Sequence, residues 1–115
     1  MKFSSSLKLN HIFRRLYHTS GQADSYLVLY ARKNRTAENR VGITVSKKLG
    51  HAVVRNRARR RLRELFRLSQ GQMLQGYDVL LVARGKTARI PHRYLKRDYE
   101  AAVKKLGLFV QEEQP

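Results

Sequence analysis

Between Ala52 and Leu68 the chain reads AVVRNRARRRLRELFRL. This run sets Arg55, Arg57, Arg59, Arg60, Arg61, Arg63 and Arg67 against one acid, Glu64. A guanidinium is a rigid planar fork that can take two phosphate oxygens at once, and it sheds water more easily than an ammonium. The chemistry such a run suits is the binding of a polyanion. An ordinary solvated helix face mixes signs and gains from Glu–Lys pairs four residues apart, whereas like charges at that spacing cost stability. Six of the arginines fall within residues 55–63 with no acid among them, so an outside polyanion is the natural source of the missing charge. Lys47, Lys48 and His51 stand just before the run and extend the basic surface at its start.

An α-helix is the element that presents these residues together. At about 100° per residue, Val54, Ala58, Leu62, Leu65 and Phe66 share one face, and Asn56, Arg60, Arg63 and Arg67 recur on the opposite one. Ala, Leu and Arg are good helix formers and no Gly or Pro interrupts the run, so the spacing predicts an amphipathic helix over 52–68. Before it, RVGITVSK (40–47) alternates, with Val41, Ile43 and Val45 on one side, and reads as a strand delivering Ser46, Lys47 and Lys48 to the helix start. SYLVLYAR (25–32) is a second strand, with Tyr26, Val28 and Tyr30 on one side and Leu27, Leu29 and Ala31 on the other. The two strands, joined by the polar segment 33–39, read as a hairpin. YDVLLVAR (77–84) has a nearly continuous apolar centre, as a strand buried on both faces would.

Asn10 suits the N-cap of a short first helix ending near His18, with Ile12, Phe13, Leu16 and Tyr17 as its apolar spacing. Pro91 suits the first turn of a last helix, with Leu95, Tyr99, Ala102, Val103 and Leu106 facing inward and Gly107 ending it. The order αββαβα makes an α+β fold, a two-layer sandwich of helices on a sheet. We expect a single RNA-binding domain over 1–115, with a flexible arm at 1–9 and a frayed, acidic tail at 109–115.

No catalytic constellation emerges from the remaining residues. His11, His18, His51 and His92 are scattered, without metal-ligand spacing. Asp78 and Asp98 stand singly among basic neighbours and read as ion-pair partners rather than a general acid/base pair. Ser46 lacks a nucleophile elbow, and Gly42 and Gly50 belong to neither a P-loop nor a GxGxxG pattern. There is no cysteine, which removes disulfides and thiolate metal sites and fits a reducing cytoplasm. No apolar run is long enough to span a membrane. A formal charge of +17 on 115 residues, 42% of them hydrophobic, describes a folded basic protein and points to nucleic acid as partner, with an anionic membrane surface as the lesser alternative. Phe13, Tyr17, Tyr26 and Tyr30 admit two readings: core packing, or flat rings beside lysines that stack single-stranded RNA at about 1–3 kcal/mol per base.

RVGITVSKKLGHAVVRNRARRRLRELF (40–66) resembles the signature region of the protein subunit of bacterial ribonuclease P. The matching pieces are the strand ending Ser46-Lys47-Lys48, then Gly50, Ala52-Val53, Arg55-Asn56-Arg57, Arg59-Arg60 and Arg63. The flanks agree as well, in Phe13-x-x-x-Tyr17, Val28-Leu29-Tyr30, Asp78-Val79 and Ala83-Arg84, so the resemblance spans roughly residues 7–108. It implies a left-handed βαβ crossover, similar to a ribosomal-protein domain (the S5 second-domain type). It also implies that Arg55, Asn56, Arg57, Arg59, Arg60 and Arg63 meet the catalytic RNA, to which Arg67 on the same helix face is added, and that Phe13, Tyr17, Tyr30, Ser46, Lys47 and Lys48 line a cleft for the 5′ leader of precursor tRNA. Arg61 sits where relatives commonly carry an apolar residue. The implied reaction is phosphodiester hydrolysis at the 5′ end of mature tRNA, with Mg²⁺ held by the RNA and no cofactor, small molecule or membrane at the protein. A ribosomal-type RNA-binding protein or RNA chaperone is the alternative. A helix-turn-helix DNA binder would need a helix where 40–47 reads as strand, and a stand-alone nuclease lacks metal-binding carboxylates.

Overall fold

The computed structural model describes residues 26–110, together with the backbone of residues 5–6 and 21–23. The helix expected over 10–18, with Phe13 and Tyr17, lies outside the described residues. Five strands form one sheet: β1 (Ser5–Ser6), β2 (Gly21–Ala23), β3 (Leu27–Lys33), β4 (Arg40–Thr44) and β5 (Tyr77–Ala83). Among the described residues two helices, α1 (Ala52–Ser69) and α2 (His92–Lys105), lie along it, and short 3-10 turns occupy Lys47–Leu49 and Gln70–Gln72. Strand order across the sheet is β1-β4-β5-β3-β2, with β4 and β5 parallel and β3 antiparallel to β5.

That order corrects one expectation. β3 and β4 do not pair as a hairpin, because β5 lies between them, aligning Leu80 with Tyr30 on one side and with Gly42 on the other. The reason is in β5 itself: Val79, Leu80 and Leu81 are all fully buried, and only a central strand covered on both faces satisfies such a continuous apolar run. The segment between β3 and β4 is instead pinned to the entrance of β5. The amide of Asn34 donates to the Gly76 carbonyl at 2.9 Å. The fully buried Asn39 side chain donates to the Leu74 carbonyl at 2.9 Å and accepts from the Tyr77 amide at 2.8 Å. Gly76 has φ +92°, and a Cβ there would lie 2.8 Å from the Thr36 carbonyl oxygen, so this junction requires glycine.

One face of the sheet carries the core. Leu27 and Leu29 of β3 and Val79, Leu81 and Ala83 of β5 meet Ala58, Leu62, Leu65 and Phe66 of α1 and Leu95, Tyr99, Ala102 and Val103 of α2. Val41, Ile43 and Val45 join its edge, as their alternation predicts. α1 lies over β4 and β5, and α2 over β3 and β2. α2 starts just after Pro91 and ends in a Schellman motif at Gly107 (φ +68°), whose amide bonds the Lys104 carbonyl while the Leu108 amide bonds that of Val103. Residues 109–110, expected in a frayed tail, are tied down instead. Phe109 bridges to Met73 and packs on the core, and the Val110 amide donates to the Gln72 carbonyl at 2.7 Å. The burial of one aromatic ring outweighs the polar character of the residues that follow it.

Candidate nucleic-acid interface

α1 has the two sides its sequence predicts. Ala58, Leu62, Leu65 and Phe66 are buried, while Asn56, Arg57, Arg60, Arg63 and Arg67 are exposed. Arg55 and Arg59 are half-buried at the flank, and the Arg59 guanidinium donates to the Asn56 side-chain oxygen at 3.1 Å. The Arg55 Nε is buried without a hydrogen-bond partner among the described residues. Among the described residues, Arg67 is the one member of the stripe that meets an acid. It forms an ion pair with Glu64, whose carboxyl it holds below the usual range through that hydrogen bond.

The entrance to α1 adds charge. The helix begins at His51 with no side-chain cap and no acid in its first turn, so the positive end of its dipole is unopposed within the helix. Lys47 and Lys48 are exposed beside it. The Ser46 hydroxyl accepts from the Lys48 amide at 3.2 Å and so caps the 3-10 turn that presents both lysines. Gly50, with φ +136°, makes the corner between turn and helix; a Cβ there would crowd Val54 at 3.3 Å.

Arg61 differs from its neighbours. It is half-buried and donates to the carbonyls of Thr87 (2.8 Å) and Ile90 (2.5 Å), tying α1 to the loop after β5. Burial, and then the repulsion of Arg57 one turn away, hold its pKa below the ordinary arginine value. Within the basic run, this arginine is structural. On the wheel it lies about 40° from Arg57, at the boundary of the two faces.

The second sheet face, away from α1 and α2, is built in cross-strand rows. β4, β5 and β3 contribute Arg40, Asp78 and Arg32 to one row, Gly42, Leu80 and Tyr30 to the next, and Thr44, Val82 and Val28 to the third. Asp78 is buried and takes both Arg40 hydrogen bonds (2.6 and 2.8 Å) and one from Asn34 (3.0 Å), which offsets the charge of Arg40 in the first row. This confirms Asp78 as an ion-pair partner. The middle row sets a half-buried tyrosine two strands from a glycine, with Leu80 as floor between them. Tyr30 therefore stands on a different sheet face from the arginine stripe, and Lys47 and Lys48 follow the end of β4 at the boundary of the two. Among the described residues no group of three or more His, Asp or Glu side chains gathers where a metal ion could sit, and no helix is long and apolar enough to cross a membrane.

Comparison with known proteins agrees with these features. The family description for ribonuclease P matches residues 1–107. The ribonuclease P protein component of Caldanaerobacter subterraneus subsp. tengcongensis is 42% identical over 110 residues, which is 95% of each chain. That of Natranaerobius thermophilus is 40% identical over 104 residues, 90% of each chain. Among solved structures, the Staphylococcus aureus RNase P protein matches with a TM-score of 0.82 at 30% identity, over 94% of this chain and 100% of that one. The Thermotoga maritima protein matches with 0.77 at 26% identity, over 94% and 99%. In sequence and in fold alike, the chain belongs to the protein-subunit family of bacterial ribonuclease P.

Proposed function

We propose that this chain binds the catalytic RNA of ribonuclease P through α1 and the 5′ leader of precursor tRNA along the opposite sheet face, in the cytoplasm. The observation that carries the first half is the exposed stripe of Asn56, Arg57, Arg60 and Arg63, flanked by Arg55, Arg59 and Arg67, on a helix whose first turn holds no acid. In this reading the guanidinium forks grip backbone phosphates of a structured RNA. The second half rests on the half-buried Tyr30, in a cross-strand row with the buried Leu80 and Gly42, and on the exposed Ser46, Lys47 and Lys48 that follow β4. A strand of unpaired nucleotides stacks on the ring while the lysines meet its phosphates. Phe13 and Tyr17 complete the cleft in the reading drawn from the family resemblance.

The polypeptide supplies position and charge, and the hydrolysis belongs to the RNA with its Mg²⁺ ions. Neutralising phosphates lets the RNA fold and hold substrate with fewer divalent ions, so the protein lowers the Mg²⁺ requirement. With about six phosphates contacted, affinity falls about a thousandfold between 50 and 200 mM salt.

The test is precursor-tRNA cleavage by a bacterial ribonuclease P RNA at low Mg²⁺, with and without the protein. Strong stimulation that fades as the leader is trimmed supports both surfaces. Stimulation indifferent to the leader removes the cleft and keeps the RNA partner. No stimulation, with tight binding to many RNAs, returns the ribosomal-type or chaperone alternative.

A further inference from the structure

A second basic stretch lies outside the surfaces assigned so far. From Arg84 to Arg97 the chain reads RGKTARIPHRYLKR, with Arg84, Lys86, Arg89, Arg93, Lys96 and Arg97 and no acid. All six are exposed, and among the described residues no acid is in ion-pair contact with any of them. The backbone that presents them is built rather than loose. Thr87 is fully buried; its hydroxyl donates to the Tyr26 carbonyl at 2.5 Å and accepts from the Arg84 amide at 2.8 Å. The amides of Arg89 and Ile90 both close on the Lys86 carbonyl, at 3.1 and 3.0 Å, and Ala88 is buried in the core. The loop thus folds its polar interior inward and turns its cations outward.

Two further features bear on what this surface meets. Two guanidinium groups lie over the Tyr94 ring, with the Arg93 carbon 4.8 Å and the Arg97 carbon 5.7 Å from its centroid. The ring face offsets part of the repulsion between two like charges held a turn apart on α2. The surface also adjoins the arginine helix. Arg61 of α1 bonds the Thr87 and Ile90 carbonyls, and both helices lie on the same sheet face. One extended RNA backbone can therefore cross from the α1 stripe to the loop without turning the edge of the sheet.

We propose that Lys86, Arg89, Arg93 and Arg97 form a second phosphate-binding surface for the same catalytic RNA that α1 engages, so that the RNA is gripped at two places on the helix-covered face. This rests on the α1 reading above. The purpose of two grips is geometric: one stripe of charges along a single helix leaves the RNA free to pivot about it, and a second on a neighbouring element fixes the orientation in which the leader cleft is presented.

The experiment compares three proteins with the parent for binding to ribonuclease P RNA over a salt series. The first carries Lys86→Gln, Arg89→Gln and Arg97→Gln; the second carries Arg89→Lys and Arg97→Lys; the third carries Arg60→Gln and Arg63→Gln. Each lost phosphate contact takes about 0.7–0.9 off the slope of log affinity against log salt. The glutamine triple is expected to lower that slope by about two or more, the lysine pair to keep it, and the thermal midpoints to stay together because these side chains are exposed. An unchanged slope in the triple, with a lowered one in the α1 pair, overturns the second surface and leaves the α1 reading standing. Parent-like slopes in both overturn the α1 reading itself. A triple that binds the catalytic RNA normally but loses holoenzyme affinity for tRNA, or only affinity for anionic vesicles, overturns the choice of partner.

Discussion

Arg60 and Arg61 are adjacent on one helix and should fail in opposite ways. Truncating Arg61 to alanine removes two charge-assisted hydrogen bonds, to the carbonyls of Thr87 at 2.8 Å and Ile90 at 2.5 Å. Each such bond is worth about 1.5–3 kcal/mol in isolation. Two effects offset part of that sum: the guanidinium is desolvated beside Arg57, and water can reach the freed carbonyls at this half-buried site. A net loss of about 2 kcal/mol is the reasonable remainder, which for a chain of this size lowers the thermal midpoint by about 8 °C. Arg61→Lys, with one ammonium to serve two carbonyls, should recover about half. Arg60→Ala should melt within about 1 °C of the parent, since exposed positions without partners rarely matter to stability, yet should lose about 0.7–0.9 of salt slope in RNA binding. The assay is far-UV circular dichroism melting of the RNA-free protein beside a binding titration. An Arg61→Ala protein that melts with the parent, or an Arg60→Ala protein that melts as low as Arg61→Ala, would refute the division of α1 into structural and RNA-facing arginines.

Three further outcomes follow from the fold. Asp78→Asn keeps the shape but strands the Arg40 guanidinium, which is 30% exposed; urea denaturation should show a loss of about 2–3 kcal/mol, less than for a fully buried pair. Gly76→Ala pushes a Cβ against the Thr36 carbonyl at a positive φ and should cost about 1–3 kcal/mol, measured by the same titration. Tyr99 is buried with its hydroxyl 2.7 Å from that of Ser69, and burial raises its pKa well above the ordinary tyrosine value. A raised folded pKa means that the stability is full below about pH 10, the unfolded value, and drains by up to about 1.4 kcal/mol per pH unit above it. Tyr99→Phe should therefore show a shallower fall in urea midpoint between pH 9 and 11.5 than the parent, and a slope equal to the parent's would contradict the assignment.

The helices were legible because each states its own period. Ala58, Leu62, Leu65 and Phe66 recur as a helix requires, and they are buried; Pro91 and Gly107 bracket α2 by their restricted and permissive backbones. The neighbours of the strands were less legible. Alternation in β3 and β4 told which side chains face the core, but nothing local says that the partner of Tyr30 is Leu80 rather than a residue of β4. The continuous apolar run in β5 carried that information, and it needed to be weighed against the nearness of β3 and β4 in sequence. The arginine stripe was legible as a surface, whereas the role of Arg61 depends on two carbonyls from a distant loop. The basic loop was visible as composition only; that Thr87 anchors it from inside is tertiary information.

The central position of β5 also sets an order of assembly during synthesis. β3 and β4 leave the ribosome before β5, yet do not pair with each other; the strand that joins them is residues 77–83. α1 emerges in between, and its buried side needs Val79 and Leu81 to pack against. A nascent chain that has not reached Ala83 therefore has two strand pairs, β1–β4 and β2–β3, with no centre to join them, and an arginine helix with no floor. Such non-local pairing is slow to form and leaves apolar segments open to other chains while it waits. For this protein the two surfaces mature in one step, when β5 slides between β4 and β3.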